Sequence, residues 1–128
     1  MARPTVKEFD EERETLNELV LEKANLDIKR FFSLDSQVYR AGALPAKTKE
    51  LLGLVASMVL RCNDCIDYHL DQCVDEDWSD DELQEAFHVA LVVGGSIVIP
   101  HLRHAFDTLD QLREERGGGD RESELKGD

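Results

Sequence analysis

The segment RCNDCIDYH, residues 61–69, sets two thiols three residues apart and an imidazole four residues beyond the second. On a helix, Cys62, Cys65, Ile66, His69 and Cys73 share one face. One turn then brings the Cys62 and Cys65 sulfurs within reach of a disulfide. The first turn of a helix also offers unpaired N–H groups and the positive end of the dipole, which stabilise a thiolate. His69, one turn past Cys65, can exchange a proton with it. These residue types supply a nucleophile, a resolving partner and a base. Two other readings fit the same residues. A zinc site wants four ligands; Cys62, Cys65 and His69 make three, and Cys73, His88, His101 or His104 could add another, although no second Cys-x-x-Cys exists. The cysteines could also be small buried hydrophobes, the reading that suits Cys73 best.

Glu50 stands among Leu51, Leu52, Leu54 and Val55, where a carboxylate without a partner is costly. Apolar surroundings raise a carboxylate's affinity for protons, so such a group can accept one from a thiol. Glu50 precedes Cys62 by twelve residues. Along one straight helix that is about 18 Å, out of reach. Glu50 joins the thiols only if the chain reverses between Arg61 and Asn63 and the two helices pack antiparallel.

The elements that must do this positioning read as helices throughout. Phe9, Leu16, Leu19 and Val20 share a face of a first helix from about Val6. Asn25 can cap a second, carrying Leu26, Ile28, Phe31 and Phe32, and a short third piece holds Leu34, Val38 and Tyr39. AGALP breaks the chain, and Pro45 suits a helix first turn. AKTKELLGLVASMVL is apolar on nearly all sides, which predicts a central buried helix. The thiol helix follows, with Asn63 or Asp64 as its expected cap. Ser79 and Glu82 form a capping-box signature for a helix through Leu83, Ala86, Phe87, Ala90 and Leu91 that Gly94-Gly95 ends. A last helix from about Ile97 carries Leu102, Phe106, Leu109 and Leu112, with Pro100 near its start. Trp78 is expected to plug the gap before Ser79, His88 has no expected role, and His101 and His104 are expected at surface or interface positions. No strand-like alternation of useful length appears. The expected fold is all-α: a multi-helix domain over residues 1–113, with a helical hairpin carrying the Cys-x-x-Cys. Residues 114–128, charged and with three adjacent glycines, form an expected disordered tail.

The 128 residues carry a formal net charge of −13, which disfavours nucleic acid and anionic membrane surfaces as partners. No run of 18 apolar residues exists, and residues 1–20 lack a signal-peptide core. A cytoplasmic location is expected, where thiols rest reduced and a Cys-x-x-Cys more often serves redox chemistry or metal binding than stapling.

Glu50, Cys62-x-x-Cys65 and His69 at these offsets resemble the signature of the alkylhydroperoxidase D-like branch of the carboxymuconolactone decarboxylase family. LPAKTKELLGLVAS before the motif and SDDELQEAFHVALVVGG after it agree, and the resemblance spans about residues 30–112. It implies an all-helical fold, a homo-oligomer built as a trimer or hexamer, and reduction of hydroperoxides by thiols without a bound cofactor. By position the resemblance implies Cys65 as the peroxide-attacking sulfur, Cys62 as the resolving one, and Glu50 and His69 as the proton relay. It further implies an external dithiol or lipoyl-type reductant that restores the pair. Asp64 departs from relatives that place a histidine between the cysteines, and a carboxylate there opposes thiolate formation. The acidic start, residues 7–23, matches no family feature. The alternatives are a lactone decarboxylase of the same family, and a non-catalytic helical assembly protein keeping a structural zinc or cysteine pair.

Overall fold

Helix boundaries follow local capping chemistry. In the computed structural model, which describes residues 4–117, Thr5 caps α1 (Val6–Lys23) by accepting from the Glu8 N–H, and Asn25 caps α2 (Leu26–Val38) by accepting from Ile28. The separate third piece expected around Leu34 does not exist. No Gly or Pro interrupts residues 26–38, Gln37 bonds back to Ser33 one turn earlier, and α2 runs through as one helix. Pro45 stands directly before α3 (Ala46–Val59). After α4 (Asn63–Asp75), Ser79 and Glu82 close the expected capping box of α5 (Asp80–Gly94). Gly95, at φ 82°, takes the left-handed conformation that ends α5. A 3₁₀ turn, Ser96–Val98, leads into α6 (Ile99–Glu115), with Pro100 in the first turn as expected. α6 continues to Glu115, two residues into the segment expected as a tail; from residue 118 that segment lies outside the described residues. Among the described residues every regular element is helical, and no helix is long and apolar enough to cross a membrane.

The described residues divide into two compact units, 4–46 and 47–117. In the first, the apolar positions of α2, Leu26, Ile28, Phe31, Leu34 and Val38, are exposed. The second holds the thiol motif. Its core is Leu54 and Met58 of α3, Ile66, Leu70, Cys73 and Val74 of α4, Leu83, Phe87 and Ala90 of α5, and Ala105, Leu109 and Leu112 of α6. Phe87 meets Phe106 edge to face at 5.2 Å. Trp78 fills the turn after α4, as expected, and also anchors it: its indole N–H donates to the Lys47 carbonyl at 2.9 Å, and the Lys47 ammonium sits 4.1 Å over the ring.

The expectation that α3 is buried all round is corrected. Leu54, Ser57 and Met58 face the core, while Leu51, Leu52, Val55, Ala56 and Val59 line an open groove of about 660 Å³ together with Ala86, Val89 and Val93 of α5. A helix with two apolar stripes needs two apolar neighbours, and the core of this unit lies on one side.

Candidate active site

The reversal that Glu50 requires is made by a Schellman turn. Arg61 adopts φ 60°, its N–H donates to the Met58 carbonyl at 3.0 Å, and the Cys62 N–H donates to the Ser57 carbonyl at 3.0 Å. Three residues, Leu60 to Cys62, therefore separate α3 from α4. The far end of α4 closes the same way: Asp77 at φ 65° and Trp78 donate back to Val74 and Cys73. Neither left-handed position is glycine, so each carries backbone strain.

The expected cap of α4, Asn63 or Asp64, is replaced by Cys62. Its extended backbone (φ −105°, ψ 97°) starts the helix, and its Sγ accepts the Cys65 N–H at 3.3 Å. The turn leaves α3 so tightly that residue 62 already occupies the capping position. Cys62 and Cys65 are joined as a disulfide with Cα atoms 5.3 Å apart, the separation one helical turn supplies. Cys65 and Asp64 are exposed, and Cys62 is half-buried.

Glu50 and His69 meet across the hairpin. The imidazole Nδ1 lies 2.9 Å from Glu50 Oε2, with Glu50 only 7% exposed. With the carboxylate ionised, Nδ1–H donates to it, so Nε2 carries the lone pair of a neutral ring. The ring is held flat against α3 where Gly53 presents no side chain: a Cβ there would lie 2.8 Å from Cε1, 2.9 Å from Nδ1 and 3.0 Å from Nε2 of His69. Ser57 Oγ donates to the Gly53 carbonyl at 2.6 Å. Cys73, one turn past His69, is a free, fully buried thiol. Burial, then the charges of Glu50 and Glu76, push it up to about 12, so it stays protonated beside the pair.

Sequence reasoning missed three sets of contacts. The first is Gly53, which lay inside an apolar run with only a missing side chain to mark it. The others are the partners of His101 and His104, which are half-buried and reach from α6 to α4. His101 Nδ1 donates to Asn63 Oδ1 at 2.7 Å, and His104 Nε2 donates to Asp67 Oδ1 at 2.8 Å. Thr108 donates to the same Asp67 oxygen at 2.6 Å. A signal was available: Asn63, Asp67, Asp71 and Asp75 recur at every fourth position of α4, one polar stripe beside the apolar one. His88 is exposed. Among the described residues, no group of three or more His, Cys, Asp or Glu side chains is arranged to hold a metal ion.

An all-helical unit with a Cys-x-x-Cys at a helix start and a buried carboxylate–imidazole pair beside it defines a class of thiol-bearing helical proteins. The chain belongs to the carboxymuconolactone decarboxylase family, whose profile matches residues 28–108. It is 62% identical to a Thermotoga maritima protein of known crystal structure, with a TM-score of 0.85, 88% of this chain and 98% of that one being covered. A second Thermotoga maritima structure, of a family member for which involvement in an antioxidative response has been suggested, is 61% identical over 87% of this chain and 94% of that one, with a TM-score of 0.82. An apo family protein from Legionella pneumophila is 26% identical with a TM-score of 0.72, covering 85% and 95%. A Paracoccus denitrificans protein known as uncharacterized protein 4 in the cox locus is 28% identical over 82 residues, 64% of this chain and 74% of its own length.

Proposed function

We propose that this protein is a thiol-dependent peroxidase that reduces hydroperoxides through Cys62 and Cys65. The observation that carries the reading is the Glu50–His69 pair, 2.9 Å apart, with His69 on the helix turn directly after an exposed Cys65 already paired with Cys62. The suggested antioxidative role of the Thermotoga maritima relative is in keeping with it.

In the reduced protein, His69, oriented by Glu50, takes the Cys65 thiol proton. The thiolate sulfur bonds to the terminal peroxide oxygen, the O–O bond breaks, and the departing alkoxide receives that proton to leave as an alcohol. Cys65 is then a sulfenic acid. The Cys62 thiolate sulfur attacks it, the S–O bond breaks, and the hydroxide leaves as water, taking up the equivalent of the proton that Cys62 gave up on ionising. An external dithiol reduces the disulfide with two electrons and two protons and becomes a disulfide itself. The cytoplasm suits a pair that must return to thiols in every cycle.

The test is stoichiometric. Reduced protein should consume one equivalent of cumene hydroperoxide, lose two titratable thiols, and regain them with dihydrolipoamide. Cys65→Ser should consume none, whereas Cys62→Ser should stop at a sulfenic acid that dimedone traps. Peroxide consumption undiminished in Cys65→Ser would overturn the reading.

We further propose that the protein works as a homo-oligomer, with a second copy covering the α3–α5 groove. The eight residues of α3 and α5 that line it, and Leu60 beside them, are all uncharged and apolar. On a chain with a net charge of −13, that patch lets copies meet without opposing like charges. Light scattering should give a trimeric or hexameric mass that Val93→Glu lowers; a monomeric wild-type mass at micromolar concentration refutes this.

A further inference from the structure

The helix that carries both cysteines and His69 is tied to α6 by a series of polar rungs. The pairs ascend together along both helices, so α4 and α6 run in the same sense. His101 meets Asn63, His104 and Thr108 meet Asp67, and Arg116 bonds to both Asp71 and Asp75. The first rung falls on Asn63, between the two cysteines in the chain.

We propose that His101 is a positioning residue for the cysteine pair, acting through Asn63 to keep the first turn of α4 helical when the disulfide is open. The proposal rests on Cys62 and Cys65 being a redox pair. In the oxidised form the covalent bond spans that turn and holds it. Reduction removes this restraint from the end of a helix, where turns fray most readily. A Cys62 thiolate in the capping position is stabilised by the N–H groups of that turn only while they still converge on its sulfur, as the Cys65 N–H does. The 2.7 Å bond from His101 Nδ1–H to Asn63 Oδ1 reaches the turn from another helix and is half-buried, so water competes poorly for it. The rung therefore favours the thiolate over the thiol. Around that turn the charged and titratable neighbours are Arg61 and Asp64, with Asp67, His104 and the Glu50–His69 pair one turn on, and the test below leaves all of them in place.

The experiment is the pH dependence of iodoacetamide alkylation of the reduced protein, in a Cys73→Ala background so that only the motif thiols report. His101→Phe and Asn63→Leu should each raise the lower apparent thiol pKa by about one unit, a roughly tenfold loss of thiolate below that pKa. His101→Gln, which can still donate, should restore most of it. The double variant should shift no further than either single one, because both remove the same bond. Thermal melting of the oxidised forms checks folding; should His101→Phe not fold, Asn63→Ala, which trims the amide without adding bulk, carries the same comparison. An unchanged thiol pKa in the single variants, or additive shifts in the double, overturns the proposal. No peroxide is used, so a protein that fails to turn over peroxide yet shows the shift refutes the peroxidase reading and leaves this one standing.

Discussion

Gly53→Ala is the most exacting probe of the site geometry. In a helix middle, Gly→Ala ordinarily stabilises by about 1 kcal/mol. Here the added Cβ would sit 2.8–3.0 Å from three atoms of the His69 ring. Carbon atoms prefer about 3.5–4.0 Å, so the imidazole must move by roughly 0.8 Å. The Nδ1 to Glu50 distance is now 2.9 Å, and a shift of that size away from α3 takes it past hydrogen-bond length. Losing a hydrogen bond to a charged group costs about 1.5–3 kcal/mol, and overpacking adds about 1–3 kcal/mol. After the helix-propensity gain the variant should be less stable by about 3 kcal/mol, or roughly 12 °C in Tm. A base displaced by about 1 Å loses roughly 100-fold in rate. On the proposed peroxidase mechanism, Gly53→Ala should therefore melt lower and turn over peroxide about 100-fold more slowly, while both motif thiols still titrate. Melting curves and stopped-flow peroxide consumption read the two effects. A more stable variant of unchanged activity would show that the imidazole does not rest on Gly53, and would refute the packing argument.

Glu50→Gln keeps the size of the side chain but removes the charge that orients His69; turnover should fall by about 10²–10⁴-fold, and the Cys73 thiol, which feels the Glu50 charge, should titrate lower, measured by thiolate absorbance. Cys73 has an ordinary value of 9.0 and is held up to about 12 when folded. Between those values the folded chain keeps a proton that the unfolded chain has lost, so stability is intact below pH 9 and falls as pH rises, by about 1.4 kcal/mol per unit. Denaturant melts of wild type and Cys73→Ala between pH 8 and 11 should show the slope reduced in the variant. Arg61→Gly relieves a left-handed residue at φ 60° and should raise stability by roughly 1 kcal/mol in the same melts. Thr108→Val removes one of two donors to the buried Asp67 and should destabilise by about 1–3 kcal/mol, read as a lower denaturation midpoint.

What the sequence determined by itself was local. Helix starts near Val6, at Asn25 and at Ser79, the stop at Gly94-Gly95, and the common face of Cys62, Cys65, His69 and Cys73 depend on residues within one or two turns. Even the reversal near Arg61 could be inferred, because Glu50 in an apolar run needed a partner and a straight helix denied it one. Tertiary structure decided the links between distant residues that no spacing named. His101 chose Asn63 across 38 residues, and Thr108 chose Asp67 across 41. The exposed stripe of α3 and the close approach at Gly53 are likewise products of packing. Caps and periodicity report the free energy of a few adjacent residues, whereas the pairing of buried polar groups depends on which helices share a wall. Only the assembled core makes that choice, because only there has water been removed.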